Sequence, residues 1–392
     1  MKPIITLKQL LLFICLTAFF SCKVSKNTTN NSEVTQTPKA MEVLKITEKV
    51  ADWQIETFEE MGVYRALPSR TKDEPWRHRK KHSELAWTTA ALYAGMFELT
   101  KVSDQQKYID WLFKIGDRNN WKHKTRRYYH ADDHAVGQLY LSLKQNERLK
   151  NKVSIQPTKT QFDSIMKGEK GQEYHWDWCD ALFMAPPAWT RLAKVTKDNT
   201  YLEYMDTQYK MTYDELWDTE EQLFFRDKKF IKRKEKNGEK LFWSRGNGWV
   251  FGGIALMLPD FPENWEGKAF YEKIFVQMAE TIKKTQREDG TWSSGVLGDV
   301  KDYPTVETSG SSFFTFGLAW GINNGLLDKE TYEPVLFKAW DALVNCVDDK
   351  GMLGYVQPIG AAPGESFKDY TEVYGIGAFL AAGSELYSYL NK

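Results

Sequence analysis

From residue 42 onward the apolar residues recur at helical spacing, and the helices that they predict are of two alternating kinds. The first kind is amphipathic and charged, with one face suited to water, and comprises residues 42–61, 104–116, 158–168, 197–217, 266–287 and 330–347. The second kind is rich in Gly and Ala and apolar nearly all round, and comprises residues 87–99, 137–143, 184–193, 248–258, 310–322 and 374–386. This strict alternation predicts six helical hairpins.

Repeated hairpins form either an open solenoid or a closed ring. An open array would leave the Gly- and Ala-rich helices at its ends half exposed, so we predict an all-α (α/α)6 barrel with the apolar helices inside. The third outer helix is short and weakly periodic, which makes that hairpin the least defined. Extended stretches, Leu223–Phe230 with Lys240–Trp243 and Trp292–Val296, predict small β-hairpins in rim loops.

The N-terminus has a basic start, an apolar run from Leu10 to Phe20, and then Ser21 and Cys22. This is typical of a signal peptide and is too short to span a bilayer. We predict a lipoprotein signal peptide over residues 1–21 with Cys22 as the lipidated residue; plain cleavage by signal peptidase nearby is the alternative.

The segment after Cys22 is polar and rich in Asn, Thr and Ser, and it predicts a tether over residues 22–40. Residues 41–392 then form a single catalytic barrel domain. The predicted location is the outer membrane, through the lipid anchor alone, with the barrel facing either the periplasm or the cell surface.

Composition narrows the classes of function. The chain has 53 basic and 53 acidic side chains, which argues against a nucleic-acid partner. Its 15 Trp, 19 Tyr and 22 Phe suit sugar rings, although large cores use aromatic residues too. No zinc-type His or Cys spacing, phosphate-binding loop or dinucleotide fingerprint is found, so we predict no metal and no cofactor.

In such a barrel all six inner helices run the same way, so their N-terminal ends meet at one mouth. The segments that precede these helices carry ionisable and aromatic residues: 76–82, 128–134, 175–180, 243–249, 305–310 and 369–372. Helix N-termini present free N–H groups and the positive ends of their dipoles. The mouth therefore favours an anionic ligand.

Asp180 is the strongest candidate for a general acid. It lies beside Trp178 and Phe183, an apolar setting that raises a carboxyl pKa and keeps the group protonated. A structural helix N-cap is the ordinary alternative for such an Asp. Asp132 and Asp133 offer a second carboxylate, and the spacing leaves open which of them faces the mouth.

Arg245 lies among glycines and between two indoles, Trp243 and Trp249. An Arg fork matches a planar carboxylate, so Arg245 is a candidate ligand for an acidic sugar. A buried ion pair with one of the aspartates explains the residue equally well.

At these residues the chain resembles glycoside hydrolase family 105, the unsaturated rhamnogalacturonyl hydrolases, and more distantly family 88, the unsaturated glucuronyl hydrolases. The resemblance covers roughly residues 42–390. It is carried by five motifs in order, at residues 131–138, 178–186, 223–227, 244–249 and 375–385. Members of these families are (α/α)6 barrels, in agreement with the hairpin count.

The resemblance implies a hydrolase that removes a 4,5-unsaturated uronic acid from the non-reducing end of lyase-generated oligosaccharides of the pectin, rhamnogalacturonan or ulvan type. Asp180 would first protonate C4 and then, as a carboxylate, activate the water that attacks C5. The resemblance also implies supporting roles at the sugar for a further set of residues: Asp132 or Asp133 near the hydroxyls, Trp178 and Trp249 flanking the ring, Arg245 on the uronate, and Asn247, His134 and Arg226 as further substrate contacts.

Arg226 stands where the first-characterised family type tends to have His, and an extra cation there suits a sulfated neighbouring sugar. Two other functions remain open. One is an inverting glycosidase or a lyase acting on intact polysaccharide with two Asp in separate roles. The other is a non-catalytic glycan-binding lipoprotein.

Overall fold

The computed structural model describes residues 38–58, 66–68, 76–78, 83–124, 127–168 and 176–392. The predicted signal peptide, the predicted lipid site at Cys22 and most of the predicted tether lie outside these residues. None of the described helices is both long and apolar enough to cross a membrane. Cys179 and Cys346 are both free thiols.

Within the described residues, six charged helices form the outer layer of the barrel. They are α1 (Ala40–Thr57), α3 (Gln106–Arg118), α6 (Gln156–Met166), α9 (Thr200–Leu216), α11 (Lys268–Lys284) and α13 (Lys329–Val344). Each overlaps one of the six segments predicted as amphipathic, including the weakly periodic third one.

In the part of the chain that the structure describes, the inner layer also has six members, two of which are broken into two short helices. It consists of α2 (Trp87–Leu99), α4 (Ala131–His134) with α5 (Gly137–Gln145), α7 (Ala181–Met184) with α8 (Pro186–Thr196), α10 (Ser244–Met257), α12 (Thr308–Asn323) and α14 (Val373–Leu390). Around the ring α2 contacts α5, α5 contacts α8, and α8 contacts α10. The ring continues through α12 to α14, which packs against α2 and closes it. The predicted (α/α)6 barrel is confirmed.

Small residues allow the inner helices to approach closely. A Cβ added to Gly377 of α14 would lie 2.2 Å from the main-chain oxygen of Ala91 in α2, and one added to Gly95 would lie 1.8 Å from the oxygen of Gly377. Any side chain at either position would push these helices apart. The Gly- and Ala-rich composition is thus a requirement of closing the ring.

The break between α7 and α8 falls at Ala185, directly before Pro186 and Pro187. Proline has no N–H to continue the hydrogen-bond ladder, and it is tolerated where a new helix begins. The break leaves Asp180 at the start of a four-residue helix, α7, at the mouth of the barrel.

The described strands are short. Strand β1 (Ala66–Pro68) pairs antiparallel with β2 (Trp76–His78), and β3 (Trp217–Asp218) pairs antiparallel with β4 (Leu223–Phe224). The predicted pairing of 223–230 with 240–243 is wrong, because Leu223 and Phe224 pair with Asp218 and Trp217 of β3, directly after α9. Residues 242–244 pair instead with 294–296, where the N–H of Val296 donates to the oxygen of Phe242 at 2.8 Å.

Candidate active site

A cleft of about 450 Å³ opens at the mouth where the inner helices begin. Its lining comes from three segments of the chain: Arg127, His130 and Asp132; Asp177 and Trp178; and Arg226, Asp227, Lys228 and Lys229. The first two segments precede inner helices and were predicted to converge. The third follows β4 and joins the site because Trp178 and Asp227 form a β-bridge.

Asp180 lies behind this lining, next to Trp178 and Arg226, and the residue is only 9% exposed. It makes no capping hydrogen bond to α7, so the structural N-cap alternative does not describe it. Its Oδ2 atom lies 3.6 Å from Nε of Arg226 and 3.6 Å from Sγ of Cys179. Burial raises the pKa of Asp180, Arg226 and Arg245 oppose that rise, and Asp132 adds to it. The group is suited to donating a proton.

Asp132 and Asp133 have different surroundings although they are adjacent in the chain. Asp132 lines the cleft, and its Oδ2 atom accepts a hydrogen bond of 3.0 Å from Nη2 of Arg127. Burial raises the pKa of Asp132 to about 6, against the lowering effect of Arg127. Asp133 is 2% exposed and accepts hydrogen bonds from the main-chain N–H of Arg127 at 2.9 Å and from its Nη2 at 3.2 Å.

His130 and Trp178 form the aromatic wall of the cleft. Their ring centroids lie 4.3 Å apart with a 37° angle between the planes. Burial and the neighbouring Arg127 lower the pKa of His130 to about 4, so its imidazole is neutral. Trp178 therefore lines the cleft, where His130 extends the aromatic surface, and its contact with a sugar ring stays a prediction.

Arg226 lines the cleft and connects it to Asp180. Its Nη1 atom donates to Oδ2 of Asp227 at 2.5 Å, and its Nε faces Asp180. Its main-chain oxygen accepts the N–H of Cys179 at 2.9 Å, which fixes the loop against the start of α7. The guanidinium is therefore placed between two carboxyl groups.

Arg245 differs from both interpretations of the sequence. Its guanidinium is 1% exposed and donates to the main-chain oxygens of Gln357 at 2.7 Å and Pro358 at 2.9 Å. It packs against the rings of Trp243 and Tyr374. No ion pair to an aspartate occurs among the described residues, and a substrate carboxylate would have to displace these carbonyl contacts. Its charge nevertheless reaches Asp180 and lowers that pKa.

Trp249 is buried in an aromatic cluster that joins the inner helices. Its ring lies 4.5 Å from that of Phe313, 4.7 Å from Phe183 and 6.0 Å from Trp87 and Tyr374, measured between centroids. At 1% exposure it is not part of the cleft defined by the described residues. Its contact with a sugar ring stays a prediction.

The structure gives two further predicted substrate contacts a different role. Asn247 is fully buried; its amide oxygen accepts the N–H of Phe224 at 2.8 Å, and its nitrogen donates to the oxygens of Phe224 and Trp243. His134 is 1% exposed, accepts a hydrogen bond from Nε1 of Trp189 at 3.3 Å and packs on Phe162. Both side chains point into the protein, because their polar atoms are used to join neighbouring elements.

The sequence did not single out Arg127, His130, Asp227 or Lys229 as site residues. His130 lies two residues and Arg127 five residues before Asp132, while Asp227 follows Arg226 and Lys229 comes two residues later, so all four lay close in the chain to a residue that was chosen. Only the folded loops show that these residues share one cleft. In the described part of the chain, no group of three or more His, Cys, Asp or Glu side chains is arranged to hold a metal ion.

Comparison with known proteins adds to this geometry. Residues 46–390 match the family model described as Glycosyl Hydrolase Family 88. A protein of Formosa agariphila called unsaturated 3S-rhamnoglycuronyl hydrolase is 41% identical over 317 residues, which is 76% of this chain and 84% of that protein. A protein of Alteromonas sp. with the same name is 35% identical over 87% of this chain and 85% of its own length. The solved structure of a family 88 glycosyl hydrolase from Bacteroides vulgatus is 28% identical, with a TM-score of 0.76, covering 90% of this chain and 100% of that one.

Proposed function

Because the chain belongs to glycosyl hydrolase family 88 and is a glycoside hydrolase, we propose that it removes a 4,5-unsaturated uronic acid from the non-reducing end of oligosaccharides released by a polysaccharide lyase. The observation that carries this proposal is the Asp180 carboxyl, which is buried, has a raised pKa and lies beside a cleft with an aromatic wall. Addition of a proton to a carbon–carbon double bond requires an acid that holds its proton, and a raised pKa favours the protonated form of the carboxyl.

The proposed reaction begins with transfer of the Asp180 proton to C4 of the unsaturated sugar, which leaves an oxocarbenium-like centre at C5. The resulting Asp180 carboxylate then takes a proton from a water molecule as that water adds to C5. The C5 hemiketal opens by breaking its bond to the ring oxygen, and the hemiacetal left at C1 releases the neighbouring sugar. Asp180 regains its proton in the process, so a single residue serves as acid and then as base.

Asp132 supports this reaction from the lining of the cleft. It lies on the lining and is held by Arg127, and its pKa of about 6 allows it to act as a hydrogen-bond acceptor for sugar hydroxyls above that pH. Asp133 is buried behind it and stabilises Arg127. We therefore assign the second carboxylate of the site to Asp132.

We further propose that the sugar next to the uronate carries a sulfate, as the names of the two relatives indicate for those proteins. Among the lining cations, Arg127 pairs with Asp132 and Asp133, Arg226 with Asp227, and Lys228 with Glu215. Lys229 lines the cleft, is exposed and has no ion pair among the described residues. It is the cation best placed for a sulfate ester of the leaving sugar.

Unsaturated disaccharides from ulvan, pectin and glycosaminoglycan lyase digests would test the proposed function. Loss of the ultraviolet absorbance of the unsaturated uronate, with release of the neighbouring sugar, is the expected result. Release of reducing sugar from untreated polymer would instead favour an inverting glycosidase, and new unsaturated ends would favour a lyase. Binding of the disaccharide without any change to it would favour a glycan-binding protein.

A paired comparison tests the sulfate. Lys229→Gln is expected to raise KM about tenfold for the sulfated disaccharide and to leave KM for its desulfated form unchanged, since one charge-assisted contact contributes about 1.5 kcal/mol. Lys228→Gln, next in the chain but paired with Glu215, is the matched control and should change neither value. Equal effects of Lys229→Gln on both substrates would contradict the assignment.

We also propose that the protein is exported and anchored to the outer membrane through a lipid on Cys22. The support is the basic start, the apolar run from Leu10 to Phe20 and the cysteine that follows Ser21. Labelling with a radioactive fatty acid should mark the full-length chain in bacterial cells and should fail for Cys22→Ala. A labelled Cys22→Ala protein would overturn the proposal.

A further inference from the structure

Arg226 and Asp227 form a charged pair next to Asp180. The Arg226 Nε atom is buried, has no hydrogen-bond partner among the described residues and lies 3.6 Å from Oδ2 of Asp180. On the other side of the same guanidinium, Nη1 donates to Asp227 at 2.5 Å. The three side chains thus form a row in which one cation lies between two carboxyl groups.

The main chain keeps this row in place. Trp178 forms a β-bridge with Asp227, and the N–H of Cys179 donates to the oxygen of Arg226. The second oxygen of Asp227, Oδ1, accepts the N–H of Lys229 at 2.8 Å. Residues 226 and 227 are therefore attached to the two residues that directly precede Asp180, so the separation of Arg226 from Asp180 does not depend on a flexible loop.

We propose that Arg226 and Asp227 are positioning residues that set the proton affinity of Asp180: Arg226 lowers it, and Asp227 limits how far Arg226 can do so. The inference rests on the proposed role of Asp180 as the proton donor. The general acid must be protonated at the working pH and must also lose its proton to C4, so its affinity for the proton has to be neither too high nor too low. Burial alone drives it upward, and a cation at this distance opposes that.

Four groups of the described chain face the Asp180 carboxyl and act on it. Arg226 and Arg245 favour its ionised form, as does the Cys179 thiol, which donates a hydrogen bond to Oδ2 at 3.6 Å, whereas Asp132 opposes ionisation. Arg245 donates to the oxygens of Gln357 and Pro358, and Asp132 is held by Arg127, so neither is adjusted by Asp227. Arg226 is the one cation of this set whose charge is offset directly by a carboxylate at hydrogen-bond distance.

The test is the pH profile of kcat/KM on an unsaturated disaccharide. Activity falls on the alkaline side as Asp180 loses its proton, so this limb reports the Asp180 pKa. Arg226→Gln removes the cation and is expected to move the limb upward by about one pH unit. Asp227→Asn keeps the Oδ1 acceptor for Lys229 but removes the charge that offsets Arg226, and it is expected to move the limb downward.

A loss of packing or of substrate binding would lower stability or raise KM in both variants. It would not move the alkaline limb of the pH profile in opposite directions. Arg226→Lys retains the charge and should restore most of the wild-type profile. Lys232→Gln removes an exposed cation of the same loop that does not line the cleft, and it is the matched control with no shift expected. Shifts in the same direction, or none, would overturn the inference, and Asp227→Asn alone decides it if Arg226→Gln does not fold. A wild-type protein inactive on every unsaturated substrate would instead refute the proposed function.

Discussion

Asp132 and Asp133 are consecutive in the chain, yet Asp132 lines the cleft while Asp133 is buried behind it and accepts two hydrogen bonds from Arg127. One of these bonds comes from the main-chain N–H of Arg127 and the other from its guanidinium. The same guanidinium also reaches Asp132. Asp133 thus fixes the cation that orients Asp132 on the cleft lining, so one carboxylate has a structural role and the other a role at the substrate.

This division of roles predicts different results for two conservative variants. Asp133→Asn leaves one donor of Arg127 facing an amide N–H, so we expect the free energy of unfolding to fall by about 1–3 kcal/mol. Asp132→Asn should change stability less and should lower kcat/KM by about 10- to 100-fold, because a hydrogen bond from a sugar hydroxyl to a charged group contributes about 1.5–3 kcal/mol. Urea unfolding and steady-state kinetics on the same preparations measure both effects. Equal losses of stability in the two variants would contradict the assignment.

The sequence predicted the barrel well because helix packing is a local and periodic property. Each of the twelve predicted helices is present. Positions such as Gly95 and Gly377, where no side chain fits, explain why the inner helices are rich in small residues. Asp180 could be predicted as a candidate general acid for the same reason, since its apolar neighbours are adjacent in the chain. What the sequence could not show was contact between distant segments.

Asn247 illustrates such a contact. Its amide is bonded to Phe224, 23 residues away, so a residue that resembled a substrate ligand serves to attach β4 to α10. The loop that carries Arg226 and Asp227 reaches Asp180 only because it pairs with residues 178 and 179. Neither pairing follows a spacing rule, and the direction of adjacent side chains at Asp132 and Asp133 likewise depends on where Arg127 lies.

Asn247→Ala tests its structural role. Removing the amide leaves the N–H and the oxygen of Phe224 buried without partners, so we expect a loss of about 2–4 kcal/mol in the free energy of unfolding. KM of the folded protein should stay close to the wild-type value, because the side chain is fully buried. Asn324→Ala, which removes a single hydrogen bond at the end of α12, is the milder control. A large rise in KM with unchanged stability would show that Asn247 is a substrate contact.

Gly377→Ala tests the closure of the inner ring. The new methyl group would lie 2.2 Å from the main-chain oxygen of Ala91, and backbone cannot move aside as a flexible side chain can. Overpacking of this kind typically costs about 1–3 kcal/mol, so we expect a lower melting temperature. The control is Gly360→Ala, where the nearest atom to the added carbon is 3.7 Å away. Equal melting temperatures for the two variants would show that α2 and α14 are not in close contact.

The last prediction concerns the effect of pH on stability at Asp180. Burial raises the folded-state pKa of this carboxyl above its ordinary value of 3.8. Between 3.8 and the raised value the folded protein binds more protons than the unfolded chain, so this group makes the protein less stable as pH rises through that window. Above the folded-state pKa its contribution no longer changes. Asp180→Asn carries no charge, so it should be more stable than the wild type at neutral pH while losing activity.

Unfolding by urea at a series of pH values measures this difference. The stability gained by Asp180→Asn is expected to be near zero below about pH 4 and then to grow by about 1.4 kcal/mol for each unit by which the pKa is raised. Asp198→Asn is a control for which the opposite change is expected. The hydrogen bonds from Thr200 lower the pKa of Asp198, so this variant should become less stable than the wild type as pH rises. If Asp180→Asn instead destabilises the protein at neutral pH, the carboxylate is a structural partner of Arg226, and it is not held as a proton donor.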